Sequence, residues 1–145
     1  KNINVGDKIK INLNDINGIL GFGWSHPSYG SKISSIGAWT EGNFSSLVFN
    51  ISIKNIDKII IDTKKILKER NKNVKLNFSL NNISLPNQNI KIHSNKIELS
   101  SIKNYLELGS NKLIIEIENP QTALSKLESV DARLLGVLID SLEFK

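Results

Sequence analysis

Two glycine-rich stretches contain most of the side chains in this chain whose types could do chemistry. They read GFGWSHPSYG over 21–30 and GAWTEGN over 37–43. Together they hold both tryptophans and one of the two histidines, and six of the nine glycines lie between Gly18 and Gly42. Elsewhere the chain is a series of Ile, Leu and Val segments separated by Asn, Lys and Ser. The two stretches are therefore the first place to look for a site.

The chemistry that these side chains suit is the binding of sugar rings. Sugars have apolar C–H faces that stack on aromatic rings, and their hydroxyls need paired polar groups. Trp24 and Tyr29 are predicted to stack, whereas His26, Glu41 and Asn43 are predicted to bond hydroxyls. The full set of candidate binding residues is Trp24, His26, Tyr29, Trp39, Glu41, Asn43 and Arg133.

Each of these residues also has a structural interpretation. Trp39 precedes a predicted strand, which is typical of a core residue. The glycines serve turns that need positive φ. Arg133 follows Asp131 by two positions, and such a pair often holds a loop in place through bidentate hydrogen bonds. These alternatives stay open from the sequence alone.

Catalytic and metal-binding motifs are weak. Ser25 and His26 are adjacent, but neighbouring side chains on an extended segment point apart, and no G-x-S-x-G elbow occurs. Among the fourteen acidic residues only Glu41 lies in the aromatic segment, whereas a glycosidase needs two opposed carboxylates. The two histidines are far apart and cysteine is absent, which disfavours a zinc site. We therefore predict a protein that is not an enzyme and needs no cofactor.

The formal net charge of +5 comes almost entirely from lysine, since the chain has only two arginines. Sequence-reading nucleic-acid sites favour Arg, whose planar fork makes bidentate contacts, so we expect no nucleic-acid partner. The range 64–75 nevertheless contains six basic residues and one acid. It is interpreted as a solvated strand end and hairpin, with a phosphate-binding patch as the alternative.

The apolar pattern predicts an all-β protein. Period-two alternation occurs over 8–13, 46–53, 74–80 and 112–118, and Ser94-Asn95 suggests a hairpin between 89–93 and 96–99. Thr122 to Ser129 is the one segment that favours a short helix. Eight to ten closely spaced strands are typical of an antiparallel sandwich or barrel, and we predict a jelly-roll-like β-sandwich.

The length of 145 residues suits a single domain over 1–145. No apolar run approaches the roughly 18 residues that span a bilayer, so we expect no membrane insertion. The chain starts without Met or a signal-like segment, and it is expected to be a domain of a longer protein.

The same residues carry a family resemblance. The patterns G-F-G-W-S-x-P-x-x-G, G-x-W-T-x-G and D-x-R-x-L-G-V, spread over roughly 8–144, resemble a β-sandwich domain appended to bacterial surface-polysaccharide glycosyltransferases and phosphoglycerol transferases. Such domains are similar to carbohydrate-binding modules of the galactose-binding, jelly-roll type. Ser28 stands where the pattern often has an acid, Ala38 stands where it often has Arg, and the spacing from Gly30 to Trp39 is longer than usual.

The resemblance implies a non-catalytic carbohydrate-binding module of a bacterial cell-surface polysaccharide biosynthesis enzyme. Its partners would be an oligo- or polysaccharide and a catalytic domain of the same chain. The parent enzyme would lie at the cytoplasmic face of the inner membrane, or alternatively outside the cytoplasm. Jelly-roll sugar modules often hold a structural calcium ion, although this sequence has no dense acidic loop that would indicate one. The alternatives are a docking or spacer sandwich without ligand, and a glycan-modifying enzyme that uses Glu41 or His26.

Overall fold

The protein is described by a computed structural model that covers residues 2–12, 17–25, 37–122 and 133–145. Strands dominate it, and its two helices, Asn87–Asn89 and Lys103–Tyr105, are single 3₁₀ turns. The strands are β1 (Asn2–Ile3), β2 (Lys8–Lys10), β3 (Ala38–Glu41), β4 (Phe44–Ile51), β5 (Lys58–Ile66), β6 (Lys68–Glu69), β7 (Lys72–Asn73), β8 (Leu76–Leu80), β9 (Ile83–Ser84), β10 (Ile90–His93), β11 (Lys96–Ser100), β12 (Gly109–Ile117), β13 (Gln121–Thr122) and β14 (Leu134–Phe144).

Two large sheets make up the fold. The first has five strands in the order β1-β4-β12-β8-β9, and the second has seven strands, with β14 at its centre. One side of β14 is lined by β5, and β2, β3 and β13 also pair with β14. Neighbouring strands are antiparallel except for β1 and β4, which are parallel. The short β6–β7 hairpin projects from the end of β5.

The core lies between the two sheets. Alternate residues are buried along β12 and the first part of β5, as in Leu113, Ile115 and Ile117 of β12 and Ile59 and Ile61 of β5. These side chains form one continuous hydrophobic cluster drawn from both sheets. Because one face of each strand supplies the core, the period-two pattern of the sequence is the direct cause of the layered arrangement.

One end of this sandwich-like structure gathers the segments of interest. The antiparallel registers place the last residues of β3, β5 and β12 beside the first residues of β4, β8 and β14. A two-residue connection, Gly42-Asn43, joins β3 in one sheet to β4 in the other at this end. The β6–β7 hairpin leaves β5 there as well, since the Leu67 amide donates to the Gly136 carbonyl at 2.8 Å. We call this end of the molecule the loop end.

The prediction of an all-β protein is confirmed, and the long strands match the predicted segments to within about three residues. The hairpin through Ser94-Asn95 is also present, as the β10–β11 pair. Ile53, predicted to continue the buried face of β4, lies beyond the strand and is exposed, because the strand ends at Ile51. The predicted helix begins at Thr122, which is instead the second residue of β13; its remaining residues lie outside the described ranges.

Candidate functional site

The glycine-rich segment 19–25 joins the two sheets along one edge. Leu20 forms a bridge with Leu47 of β4, and four residues later Trp24 forms a bridge with Thr40 of β3. Backbone hydrogen bonds continue the contact on both sides, from Gly21 N–H to the Ser46 carbonyl at 2.8 Å and from Glu41 N–H to the Gly23 carbonyl at 2.8 Å. The segment therefore pairs first with one sheet and then with the other, and it covers that edge of the sandwich.

Gly21 and Gly23 are required by how closely this segment approaches β4. A Cβ on Gly21 would lie 2.1 Å from Ser46 Oγ, and a Cβ on Gly23 would lie 2.0 Å from the Phe44 carbonyl oxygen. Gly23 also has a φ of +84°, a conformation that residues with a side chain rarely adopt. The glycine-aromatic motif thus contains two positions that this tight packing explains without any ligand.

Trp24 is partly buried and packs against the core. Its indole Nε1 donates a hydrogen bond to the Ser46 carbonyl at 2.9 Å. Since indole has only one N–H donor, this bond uses the polar group that a ligand would otherwise contact. Trp24 can offer a ligand only the part of its ring that remains exposed.

Arg133 is held against the same segment. Its Nη1 donates to Ser25 Oγ, and Ser25 is itself buried, with its N–H bonded to the Trp39 carbonyl at 2.9 Å. The first part of β14 is also fixed to β3, because the Val137 amide donates to the buried Thr40 hydroxyl at 3.0 Å. These bonds set the position of the guanidinium relative to β3.

Glu41 and Arg133 line one open cavity of about 460 Å³ together with Gly42 and Leu134. Glu41 ends β3 with its side chain exposed, and Gly42 is anchored by an N–H bond to the Leu134 carbonyl at 2.8 Å. The cavity therefore combines a carboxylate and a guanidinium with an exposed apolar side chain. We call this cavity and the strand ends around it the aromatic corner.

Asn43 and Trp39 have mainly structural contacts at this corner. The Asn43 side-chain amide donates to the Ile117 carbonyl at 3.0 Å, and the Asn43 carbonyl accepts from the Ile117 amide at 2.7 Å, so this residue ties β4 to the end of β12. Trp39 pairs with Leu138 of β14 and packs partly against the core. Alternation along β3 places Trp39 and Glu41 on the outer face, because Ala38 and Thr40 are buried.

The structure brings five of the seven predicted site residues to the aromatic corner, namely Trp24, Trp39, Glu41, Asn43 and Arg133. The other two, His26 and Tyr29, lie in the range 26–36, outside the described residues. Asp131, considered as a partner of Arg133, lies outside them too.

Sequence reasoning missed two exposed aromatic rings. Phe22 and Phe44 are 51% and 50% exposed. Both belong to segments that adjoin Glu41, because the carbonyl of Gly23 accepts a hydrogen bond from the Glu41 amide and Phe44 begins β4 directly after the Gly42-Asn43 connection. Beside Phe44, Glu116 is its partner in register on β12 and accepts a hydrogen bond from the Asn77 side-chain amide at 3.0 Å. The available signal was Phe44 itself, since it starts an otherwise buried strand directly after a Gly-Asn turn.

In the described part of the chain, no three His, Asp or Glu side chains are grouped so that they could hold a metal ion. None of the helices in the described ranges has the length and apolar composition that crossing a membrane requires. The structural calcium ion that the resemblance allows is not tested, because the ranges 13–16, 26–36 and 123–132 lie outside the described residues.

Comparison with known proteins adds no assignment to this geometry. No family model, no curated protein and no solved structure matches the chain. The resemblance to surface-polysaccharide enzymes thus rests on the sequence motifs alone, and the function has to be argued from the corner itself.

Proposed function

We propose that this domain is a non-catalytic carbohydrate-binding module of a bacterial surface-polysaccharide biosynthesis enzyme, and that its sandwich is of the jelly-roll type. It binds glycan at the aromatic corner and positions the glycan for a catalytic domain elsewhere in the protein. A weak module on the same chain raises the effective concentration of glycan at the active site without any new catalytic group.

The observation that supports this proposal is the pairing of Glu41 and Arg133 around one open cavity, with exposed Phe22 and Phe44 on the segments that adjoin Glu41. A carboxylate accepts hydrogen bonds and a guanidinium donates them, so the pair matches the mixed character of sugar hydroxyls. Half-exposed phenyl rings offer apolar faces for the C–H side of a sugar. All four groups are carried by strand ends or by a segment bonded to both sheets, which holds them in place before a ligand arrives.

A docking or spacer sandwich is the second candidate, and the tryptophans favour it. Both pack against the core, and the indole N–H of Trp24 is bonded to the Ser46 carbonyl. If the aromatic motif serves only to close the edge of the sandwich, the domain has no glycan ligand and the exposed phenylalanines contact another part of the parent protein.

Glu41→Gln separates these functions. We expect the variant to bind the source organism's own surface polysaccharide about five- to tenfold more weakly than the wild type, because a hydrogen bond to a charged group contributes about 1–1.5 kcal/mol more than one to a neutral group. The free energy of unfolding should stay within about 0.5 kcal/mol, since the side chain is exposed. Isothermal titration calorimetry measures the affinity, and urea denaturation measures the stability.

The matched control is Glu107→Gln, which removes an equally exposed carboxylate far from the corner. It should bind glycan as the wild type does. Equal affinity of all three proteins would remove Glu41 from the site, and no binding by any of them would favour the spacer. Release of a shortened or modified glycan by the wild type but not by Glu41→Gln would instead establish a glycan-modifying enzyme.

A further inference from the structure

A second open cavity lies at the loop end, at the far end of β5. It has a volume of about 440 Å³, and it is bounded by the end of β5, the β6–β7 hairpin and the tip of the β10–β11 hairpin. The tip is fixed to β5 because the Thr63 amide and hydroxyl both donate to the Asn95 carbonyl, at 2.8 and 2.9 Å. The side chains that define it are Lys64, Lys65, Lys68, Asn73, Ile92 and Asn95. We call it the lysine cleft.

The charge of this cleft is uncompensated within the described part of the chain. Lys64, Lys65 and Lys68 are all exposed, none of them forms an ion pair with a described residue, and no described Asp or Glu lines the cleft. Like charges around one concave surface repel one another and concentrate a positive potential there. An anionic ligand would relieve that repulsion.

Elsewhere on the outer face of the same sheet, several lysines form ion pairs. Lys8 and Lys96 both contact Asp62, at 3.9 and 3.6 Å. Lys58 lies 3.2 Å from Glu98. These paired lysines follow the pattern expected for a solvated sheet face, whereas Lys64, Lys65 and Lys68 have no such partner among the described residues and lie together around one cavity.

The lysine cleft is also connected to the aromatic corner across the sheet. Leu138 is in register with Trp39 on one side and with Lys65 on the other, so these three residues form a row on the outer face. Adjacent strands are separated by about 4.8 Å, which places Trp39 and Lys65 about 10 Å apart across β14. One extended glycan of a few sugar units can reach from the corner to the cleft.

We propose that the lysine cleft binds the negatively charged groups of an anionic polysaccharide, one that carries carboxylate, sulfate or phosphate substituents along its chain. This inference rests on the proposed function for the glycan itself, but it concerns a separate set of residues. The three lysines neutralise the charged substituent, and Asn73 and Asn95 offer amides to the neighbouring hydroxyls.

The observations favour a glycan over other polyanions. No described aromatic residue lines the cleft, and single-stranded nucleic acids depend on aromatic stacking as well as on charge. The cleft is concave and bordered by the β6–β7 hairpin and the tip of the β10–β11 hairpin, whereas an anionic membrane requires a broad basic face that can lie flat on lipid.

The test compares two variants that each lose three lysines. The first is Lys64→Gln, Lys65→Gln and Lys68→Gln; the control is Lys54→Gln, Lys103→Gln and Lys112→Gln, three exposed lysines that lie outside the cleft. Net charge changes equally in both. The probes are dextran sulfate, polygalacturonate and uncharged dextran, followed by calorimetry, with oligodeoxythymidylate and vesicles of phosphatidylcholine and phosphatidylglycerol as competing polyanions.

We expect the wild type to bind dextran sulfate and polygalacturonate more tightly than dextran, with affinity falling as salt is raised. The cleft variant should lose about tenfold in affinity for the acidic glycans, since three partly exposed charge contacts act together. The control variant should stay within about twofold of the wild type.

Three results overturn the inference: equal binding of acidic glycans by the wild type and the cleft variant, an equal loss in the control variant, or tighter binding of oligodeoxythymidylate or vesicles than of either acidic glycan. The proposed function fails separately. If dextran sulfate binds through the three lysines but the source organism's polysaccharide does not bind and Glu41→Gln has no effect, the anion site stands and the module assignment falls.

Discussion

Gly23→Ala should destabilise the domain by about 3 kcal/mol or more. Its Cβ would lie 2.0 Å from the Phe44 carbonyl oxygen and 2.8 Å from the Ser45 Cα, and both are backbone atoms that no side-chain rotation can move away. The backbone at Gly23 also has φ +84°, which adds about 1 kcal/mol for any residue with a Cβ. Relief of the clash requires segment 19–25 to separate from β4.

The matched control is Gly42→Ala. Gly42 has nearly the same φ, +79°, but nothing lies within 4 Å of the point that an added Cβ would occupy. It should therefore cost only the conformational term, about 1 kcal/mol. Urea denaturation followed by circular dichroism gives both free energies of unfolding. Equal losses in the two variants would show that segment 19–25 does not depend on close packing against β4.

The double variant Phe22→Ala and Phe44→Ala should lose glycan binding by about thirtyfold. Each ring is half exposed, and each stacked aromatic ring contributes about 1 kcal/mol, so two rings together contribute about 2 kcal/mol. The polar contacts near Phe22 are retained, because its N–H bond to Ser46 Oγ at 2.9 Å comes from the backbone. Calorimetric titration with the source organism's surface polysaccharide measures the loss.

A control for apolar surface is the pair Ile83→Ala and Leu108→Ala, which are 54% and 63% exposed at the opposite end of the sandwich. This variant should keep wild-type affinity. If it loses as much binding as the phenylalanine variant, glycan contacts are not localised at the aromatic corner. Retention of full affinity by a folded phenylalanine variant would rule out Phe22 and Phe44 as the stacking surface.

Much of the fold could be predicted because burial on one face of each strand imposes a period of two. The alternation in 74–80 and 112–118 corresponds to the neighbouring strands β8 and β12, and Ser94-Asn95 turns the β10–β11 hairpin. The order of the strands in the sheets, by contrast, could not be predicted. Nothing local in the sequence indicates that β14 lies between β5 and β3, since that pairing depends on contacts between distant residues.

For the candidate site, the sequence predicted which segments contribute to it but not the role of each side chain. Residue types identified the segment that contains Trp24 and Glu41, and the structure places both at one corner. Which aromatic side chains pack inward and which stay exposed was not predictable, because it depends on how segment 19–25 pairs with β4. That pairing turns the Trp24 indole towards the Ser46 carbonyl and leaves Phe22 exposed. The basic range 64–75 was likewise identified from the sequence, with a phosphate-binding patch as an alternative, but the cavity itself was not predictable, because the β6–β7 and β10–β11 hairpins that border it are separate in the chain.

The most direct test of the proposed function is an NMR titration of the ¹⁵N-labelled domain with the source organism's surface polysaccharide. Glycan binding at the aromatic corner predicts saturable shifts of the backbone amides in 22–25, 41–45 and 133–135, with the amides of β9 and the residues before β12 unchanged. Absence of any shift, or shifts confined to the end of the sandwich opposite the corner, would contradict the assignment of this domain as a carbohydrate-binding module.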